Sequence, residues 1–306
     1  MPRQLTPHIA PYNTDLRDML QLHLVILLWG FTAVLGKLIH LPAVEVTVWR
    51  TAMAAAGLAL IVWLGRMSWR VPLRVMLGLL GTGLIIGWHW MLFFLAARLA
   101  NASVSLAALP TVMIWCSLLE PLMNGTRRWS KGELLTGVVM VAAVWLIYRF
   151  EFTHWLGFTV GLISAFLAAI FAVINKLFTA QHHPVVICGY QMVGACAGCL
   201  ACMPFILTES PALPSSADFM WLLVLSQVCT VGAYVGYLDV LRRMSVFTIN
   251  VVYNLEPVYG IVLAALAFGD KEHMSGGFYL GAGIIIGVVT VMPMVRKRYA
   301  SRGIAT

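Results

Sequence analysis

Long apolar runs limit most strongly what this chain can fold into. Each is near 20 residues, the length that crosses the hydrocarbon of a bilayer at 1.5 Å per helical residue. Charged residues make up 10% of the chain, against about 25% in an ordinary soluble protein. We predict an all-α integral membrane protein with ten transmembrane helices. The ten spans lie at about 19–39, 43–64, 72–97, 101–123, 131–148, 155–178, 184–208, 219–241, 245–268 and 277–295.

The Lys and Arg residues predict how the chain crosses the membrane. With the N-terminus inside, 15 of them fall on the inner side and 4 on the outer side. Cytoplasmic loops collect Lys and Arg, so this rule also accounts for the net charge of +8 without a nucleic-acid partner. We expect a multi-pass protein of the cell inner (plasma) membrane, with residues 1–18 and 296–306 as cytoplasmic tails.

The chain repeats itself at offsets of 139 to 145 residues. Trp29–Lys37 resembles Phe166–Lys176, and Leu95–Ser103 resembles Leu238–Val246. Five spans in each copy give the two copies opposite topology, as in many secondary transporters. We therefore predict two inverted five-helix repeats, with chance similarity between apolar helices as the alternative. The predicted repeats are 19–148 and 155–295.

The ninth run is the most unusual because it holds polar residues. Asn250, Asn254 and Glu256 lie within it, and Pro257 follows at once. A charged side chain at the centre of a bilayer costs about 3 kcal/mol or more unless it faces a polar interior. Pro257 also removes the helical partner of the Tyr253 carbonyl, which predicts a kink. We interpret this run as half of a substrate site.

Several motifs together resemble the EamA-type carriers of the drug/metabolite transporter superfamily. They are Trp29-Gly30, Val48-Trp49-Arg50, Asn101-Ala102-Ser103, Leu255-Glu256-Pro257 and Phe268–Ser275. The resemblance covers nearly the whole chain. It implies ten helices, with the first four of each half around a central cavity and the fifth and tenth bracing the outside. Glycine pairs in the tenth span, such as Gly277 and Gly281, permit close packing there, and a homodimer through the fifth and tenth helices is an expected assembly.

Eleven residues are candidates for substrate binding. Glu256 is the candidate for an ammonium or a proton, with a purely structural partnership as its alternative. Arg50 would bind an anion or else extend outward to the interface. His89 would titrate near neutral pH or pack through a hydrogen bond. The other candidates are amides, which hydrogen-bond, and aromatic rings, which line apolar walls: Asn254, Asn250, Tyr253, Trp29, Trp90, Asn175, Gln191 and Tyr234.

The expected function is secondary transport by alternating access, with export of a small, amino-acid-like metabolite across the bilayer. No catalytic residue, cofactor or metal site is expected. The six cysteines lie in apolar runs, and no P-loop, Rossmann or common hydrolase motif is present. The alternative is a membrane-embedded lipid-modifying enzyme with an acid and a histidine, which needs Glu256, Asp239 and His89 to converge.

Overall fold

A computed structural model describes residues 16–123, 131–150, 152–179, 182–207, 210–240, 243, 252–253 and 255–301. These residues are mainly helical, and no strand occurs among them, which confirms the all-α prediction. The helices up to residue 150 are α1 (Leu16–Leu38), α2 (Ala43–Leu64), α3 (Leu73–Leu99), α4 (Ala102–Ala108), α5 (Val112–Met123) and α6 (Lys131–Phe150). Those that follow are α7 (Trp155–Thr179), α8 (Pro184–Ile206), α9 (Ser216–Leu223), α10 (Ala233–Val240), α11 (Glu256–Phe268) and α12 (Gly276–Ser301).

Among the described residues, 6 helical stretches are long and apolar enough to cross a membrane. They are Leu16–Leu38, Ala43–Leu64, Leu73–Leu99, Phe152–Asn175, Pro184–Ile206 and Ser216–Val240. Shorter apolar helices occur at Ala102–Cys116, Gly137–Phe150 and Gly276–Val288. The chain is therefore a multi-pass membrane protein, while the count of ten spans and their division into two repeats stay predictions.

Helix α3 packs closely on α7 and α8 because glycines let the backbones meet. A Cβ atom added to Gly83 would overlap the backbone of Gln191, and one added to Gly87 would lie 2.7 Å from the Ala195 carbonyl oxygen. The contact is reciprocal, since a Cβ on Gly194 of α8 would overlap the backbone of Leu80. Neither helix has room for a larger residue at these points.

A second close crossing joins α1 to α11. A Cβ on Gly30 would lie 2.9 Å from the backbone nitrogen of Gly260 and 3.0 Å from the carbonyl oxygen of Glu256. Helix α1 therefore lies directly against the first turn of α11. Trp29 and Glu256 are consequently at the same height along the two helices.

Proline interrupts the fourth and ninth predicted spans. In the fourth, α4 passes into α5 through a 3₁₀ turn, Leu109–Thr111, that contains Pro110. In the ninth, where the sequence predicts a kink, residues 252–253 are helical, Leu255 is in a turn, and α11 begins at Glu256 with Pro257 in its first turn. Proline suits that position because the first N–H groups of a helix have no acceptor within it.

Helices α6 and α12 pack against each other at the side of the molecule. Phe150 lies against Gly277, and Ile147 lies against Gly281. This is the close contact that the first glycine pair of the tenth span predicts. Beside the second pair, Gly283 and Gly287, no described atom lies within 4 Å of an added Cβ.

Candidate substrate-binding site

Arg50 is held inside the protein and does not extend to the interface. It is 2% exposed, and its Nε donates a hydrogen bond of 2.7 Å to the Thr230 hydroxyl. Its guanidinium carbon lies 3.7 Å from the centre of the Trp90 ring and 5.7 Å from that of Phe94. The other N–H groups of Arg50 donate to no residue in the described part of the chain. Of the two roles that the sequence leaves open, the structure excludes the outward one.

Thr230 lies in an unusual part of the backbone. Between α9 and α10 the segment Val224–Gly232 is π-helical, and the Thr230 hydroxyl donates 2.8 Å to the Leu225 carbonyl, five residues earlier. The same oxygen accepts the bond from Arg50. Wide turns of this kind are rare and are often found at functional sites. Sequence analysis missed Thr230, because a π turn leaves no signature in an apolar run.

Glu256 is buried at the start of α11 with one oxygen unsatisfied. It is 5% exposed and shares a side-chain hydrogen bond with Tyr253. Its Oε2 is buried and has no hydrogen-bond partner among the described residues. Arg50 attracts it electrostatically, and the first turn of a helix favours a negative charge. A buried carboxylate oxygen without a partner is costly and requires an explanation, of which a bound ligand or ion is one.

Four aromatic rings form a connected cluster that includes Tyr253, the hydrogen-bond partner of Glu256. The Trp29 ring is 5.1 Å from that of Tyr237 and 5.9 Å from that of Tyr253, measured between centres. Tyr237 in turn stacks on Tyr234 at 6.4 Å with 7° between the ring planes. Tyr237 is absent from the sequence-based candidates. The signal for it was its i, i+3 spacing from Tyr234, which places both rings on one face of α10.

Three of the predicted residues bind one another. The Asn175 amide donates to the Tyr234 hydroxyl, which donates 2.9 Å to Gln191 Oε1, and Gln191 Nε2 donates 2.6 Å back to Asn175 Oδ1. The three side chains come from α10, α7 and α8 and form a closed ring of hydrogen bonds. We call this group the amide–tyrosine ring.

His89 joins α3 to α7. Its Nδ1 lies 2.8 Å from the Ser164 hydroxyl and 2.9 Å from the Ser164 carbonyl oxygen. The Ser164 hydroxyl also lies 2.8 Å from the His89 carbonyl, to which it donates. The imidazole packs against Phe171 at 5.6 Å. This is the hydrogen-bonded packing arrangement that the sequence offers as the alternative to titration.

Two candidates, Asn250 and Asn254, lie outside the described residues. The acid and histidine of the enzyme alternative have separate partners. Asp239 binds Arg243 at the end of α10, whereas His89 binds Ser164 within the bundle. The described structure therefore does not gather the three groups that this alternative requires.

The fold and the site together define a polytopic helical membrane protein with charged and amide groups buried between its helices. Residues 155–293 match the family model of the EamA-like transporter family, which belongs to the drug/metabolite transporter superfamily. The match confirms the resemblance that the motifs indicate. Residues 155–293 are thus similar to this family, whose members are transporters.

Solved structures show the same fold. One crystal structure of a protein has a TM-score of 0.63 and 17% sequence identity, and the alignment covers 91% of this chain and 98% of the other. In all, 15 chains of solved structures match. A search of curated proteins found no significant match.

Proposed function

We propose that this protein is a secondary carrier that exports a small, amino-acid-like metabolite by alternating access. Glu256 and its polar neighbours would recognise polar groups of the substrate, Arg50 would bind an anionic group, and the aromatic rings would form the walls. The match of residues 155–293 to the EamA-like family and the apolar helices support a transporter. Substrate, direction and mechanism are our proposals.

One observation carries this proposal. Arg50 on α2 and the Glu256 carboxyl group on α11 are both buried, yet no salt bridge joins them in the described residues. Arg50 donates to Thr230, and Glu256 keeps an unpaired oxygen. Two opposite charges that were purely structural would be expected to pair directly, because burying each alone is expensive. Groups left available in this way suit a substrate that bridges them.

The orientation follows the excess of Lys and Arg on one side of the predicted topology. We propose that both termini face the cytoplasm and that the carrier resides in the inner membrane. In this arrangement Arg50 lies nearer the outer face, because it is in the first half of α2, which begins on the outer side. Export would then carry the substrate past Glu256 before it reaches Arg50.

Counterflow in proteoliposomes tests the proposal. Liposomes holding the purified protein and loaded with an unlabelled amino-acid mixture should accumulate the ¹⁴C-labelled mixture faster than empty liposomes. Glu256→Gln should slow the exchange by about tenfold, the equivalent of 1.4 kcal/mol, because it removes the buried charge and keeps the shape. The matched control is Asp270→Asn, an exposed carboxylate next to α11, which should stay within about twofold.

Two results would count against this proposal. Absence of exchange by the wild-type protein would remove amino-acid-like compounds as substrates. Exchange by the Glu256→Gln variant at the wild-type rate would remove Glu256 from the mechanism while leaving transport itself in place.

A further inference from the structure

We propose that the loop joining α2 to α3 binds the headgroup of an acidic phospholipid in the cytoplasmic leaflet. The contacts would be made by Arg66, Arg70 and Arg74, whose side chains are all exposed. We call this segment, residues 65–74, the basic loop. The inference goes beyond the proposed transport function and does not depend on it. Only the cytoplasmic placement of the loop is taken from the predicted topology.

The basic loop carries positive charge with no acidic residue near it in the chain. No Asp or Glu occurs between Glu45 and Glu120 in the sequence. Within the described part of the chain, none of the three arginine side chains donates a hydrogen bond or joins an ion pair. Arginine binds phosphate oxygens through paired N–H groups, so three exposed guanidinium groups of this kind favour a ligand that carries a phosphate.

The backbone at Arg66 is unusual. Its φ angle is 48°, which is the only positive value at a residue other than glycine in the part of the chain that the structure describes. The Arg66 N–H donates to the Trp63 carbonyl, and the Met67 N–H donates to the Val62 carbonyl. This pattern ends a helix at a left-handed residue, which is usually glycine. A strained arginine in place of glycine indicates that the side chain itself has a use there.

Trp69 fixes the basic loop to α8. An added Cβ on Gly189 would lie 2.4 Å from the Trp69 ring, so the indole fits against the glycine. The Tyr190 hydroxyl donates 2.9 Å to the Trp69 carbonyl, and the two rings meet edge to face at 5.7 Å between centres. A loop that is already fixed loses less entropy when it binds a ligand. The preference of arginine for the cytoplasmic side does not by itself require such an anchor.

Apolar side chains beside the basic loop suit the acyl chains of a lipid. Trp63 near the end of α2 is 73% exposed, and Leu73 at the start of α3 is 66% exposed. Leu77, one turn further along α3, is 58% exposed. Tryptophan is common at the level of the lipid headgroups. A phospholipid would therefore meet charge at its phosphate and apolar surface along its chains, whereas a free phosphate would use only the charge.

Two phospholipids with the same acyl chains test the proposal. Dioleoylphosphatidylglycerol is acidic, and dioleoylphosphatidylcholine has no net charge. Native mass spectrometry of the full chain in detergent, with each lipid titrated in turn, measures the dissociation constant of the first bound lipid. Because each arginine near an anionic headgroup contributes about fivefold in affinity, the wild-type protein should bind the acidic lipid about twentyfold tighter or more. The triple variant Arg66→Gly, Arg70→Gln, Arg74→Gln should reduce this preference to less than about threefold.

Arg66→Gly alone separates the site from the fold. Glycine adopts the left-handed conformation without strain, so thermal unfolding should occur at the same or a higher temperature. The preference for the acidic lipid should nevertheless fall by about fivefold. Arg149→Gln is the matched control. Arg149 is exposed near the end of α6, on the outer side in the predicted topology, and its replacement should leave the preference unchanged.

Equal binding of the two lipids to the wild-type protein overturns the proposal, as does a preference that survives the triple variant. An equal loss in Arg149→Gln and Arg66→Gly would show that the net charge of the protein, and not the basic loop, selects the lipid. Glycerol 1-phosphate, a soluble fragment of the acidic lipid, should not displace that lipid at equal concentration. Displacement would show that the arginines form a site for a soluble phosphate compound instead.

Discussion

Two helices occupy the third place in the two predicted repeats, and they are built differently. Helix α3 is one unbroken helix of 27 residues that meets α8 through glycines, with backbone against backbone. Its counterpart, Ser216–Val240, is divided by a π-helical segment and meets α2 through side chains. There, Gln227 donates 2.8 Å to the Met53 carbonyl, and Thr230 accepts from Arg50.

The difference indicates where the molecule is rigid and where it can move. Backbone contacts that leave no space cannot be changed without separating two helices. Hydrogen bonds between side chains exchange partners at much lower cost, and a π turn shifts register by one residue. We therefore expect α3, α7 and α8 to move as one unit, and the helix with the π segment to slide against α1 and α2.

The largest effect on stability should come from the close contact between α3 and α8. In Gly83→Leu, the new side chain would overlap the backbone of Gln191, so the helices must separate at a cost of about 3 kcal/mol. Thermal unfolding of the purified protein in detergent measures this loss. Gly81→Leu is the matched control, because no atom of the described residues lies within 4 Å of its added Cβ, and it should change stability by less than about 1 kcal/mol. Equal effects would show that the α3–α8 contact is looser than described.

The second-largest effect should come from the hydrogen-bonded contact between Ser216–Val240 and α2. Thr230→Val removes the acceptor for Arg50 and should weaken transport by about tenfold, since a hydrogen bond to a charged group contributes about 1.5 kcal/mol. Thr82→Val is the control, because that hydroxyl donates only to the Gly78 carbonyl of its own helix among the described residues.

A double-mutant cycle with Arg50→Lys sharpens this result. Counterflow rates of the two single variants and the double variant give the coupling between Thr230 and Arg50. We expect the double variant to be little worse than either single variant. Strictly additive losses would mean that the π-helical segment is independent of Arg50.

The smallest effect should come from the ion pairs at the end of α10. Arg243 binds Asp18 at 2.9 Å and also Asp239, and so joins α1 to α10. Its side chain is 39% exposed, so Arg243→Gln should cost less than about 1 kcal/mol, and less still at high salt. Unfolding at two salt concentrations, with exposed Arg70→Gln as the control, checks this. A large, salt-independent loss would show that this contact is as fixed as the α3–α8 crossing.

Much of the fold follows from hydrophobic runs, since a membrane helix needs little beyond length and apolarity. Helix α2 occupies the predicted residues 43–64. The interruptions are harder to predict, because they depend on hydrogen bonds that hydropathy does not register. Pro257 indicates a disturbance in the ninth span, and the structure shows that a helix begins beside it. The π-helical segment contains no proline, and no feature of its sequence predicts it.

The candidate site, like the fold, could be predicted from the sequence only in part. Sequence reasoning finds Arg50 and Glu256 because a charge within an apolar run is conspicuous. It does not tell which way a side chain turns, so the position of Arg50 over Trp90 required the structure. Tyr237 is one of several aromatic residues within the spans, and it was left out of the candidates because helix packing is the commoner role of any single one.

The amide–tyrosine ring has a consequence for how this chain can evolve. Each of its three side chains gives one hydrogen bond and takes one, so replacing any member orphans a donor on one neighbour and an acceptor on the other. A single substitution therefore costs two hydrogen bonds. We expect the three positions to change together or not at all. New substrate preferences would arise more readily at Trp29 and Tyr253. Their replacement by another aromatic residue leaves no member of the amide–tyrosine ring without a hydrogen-bond partner.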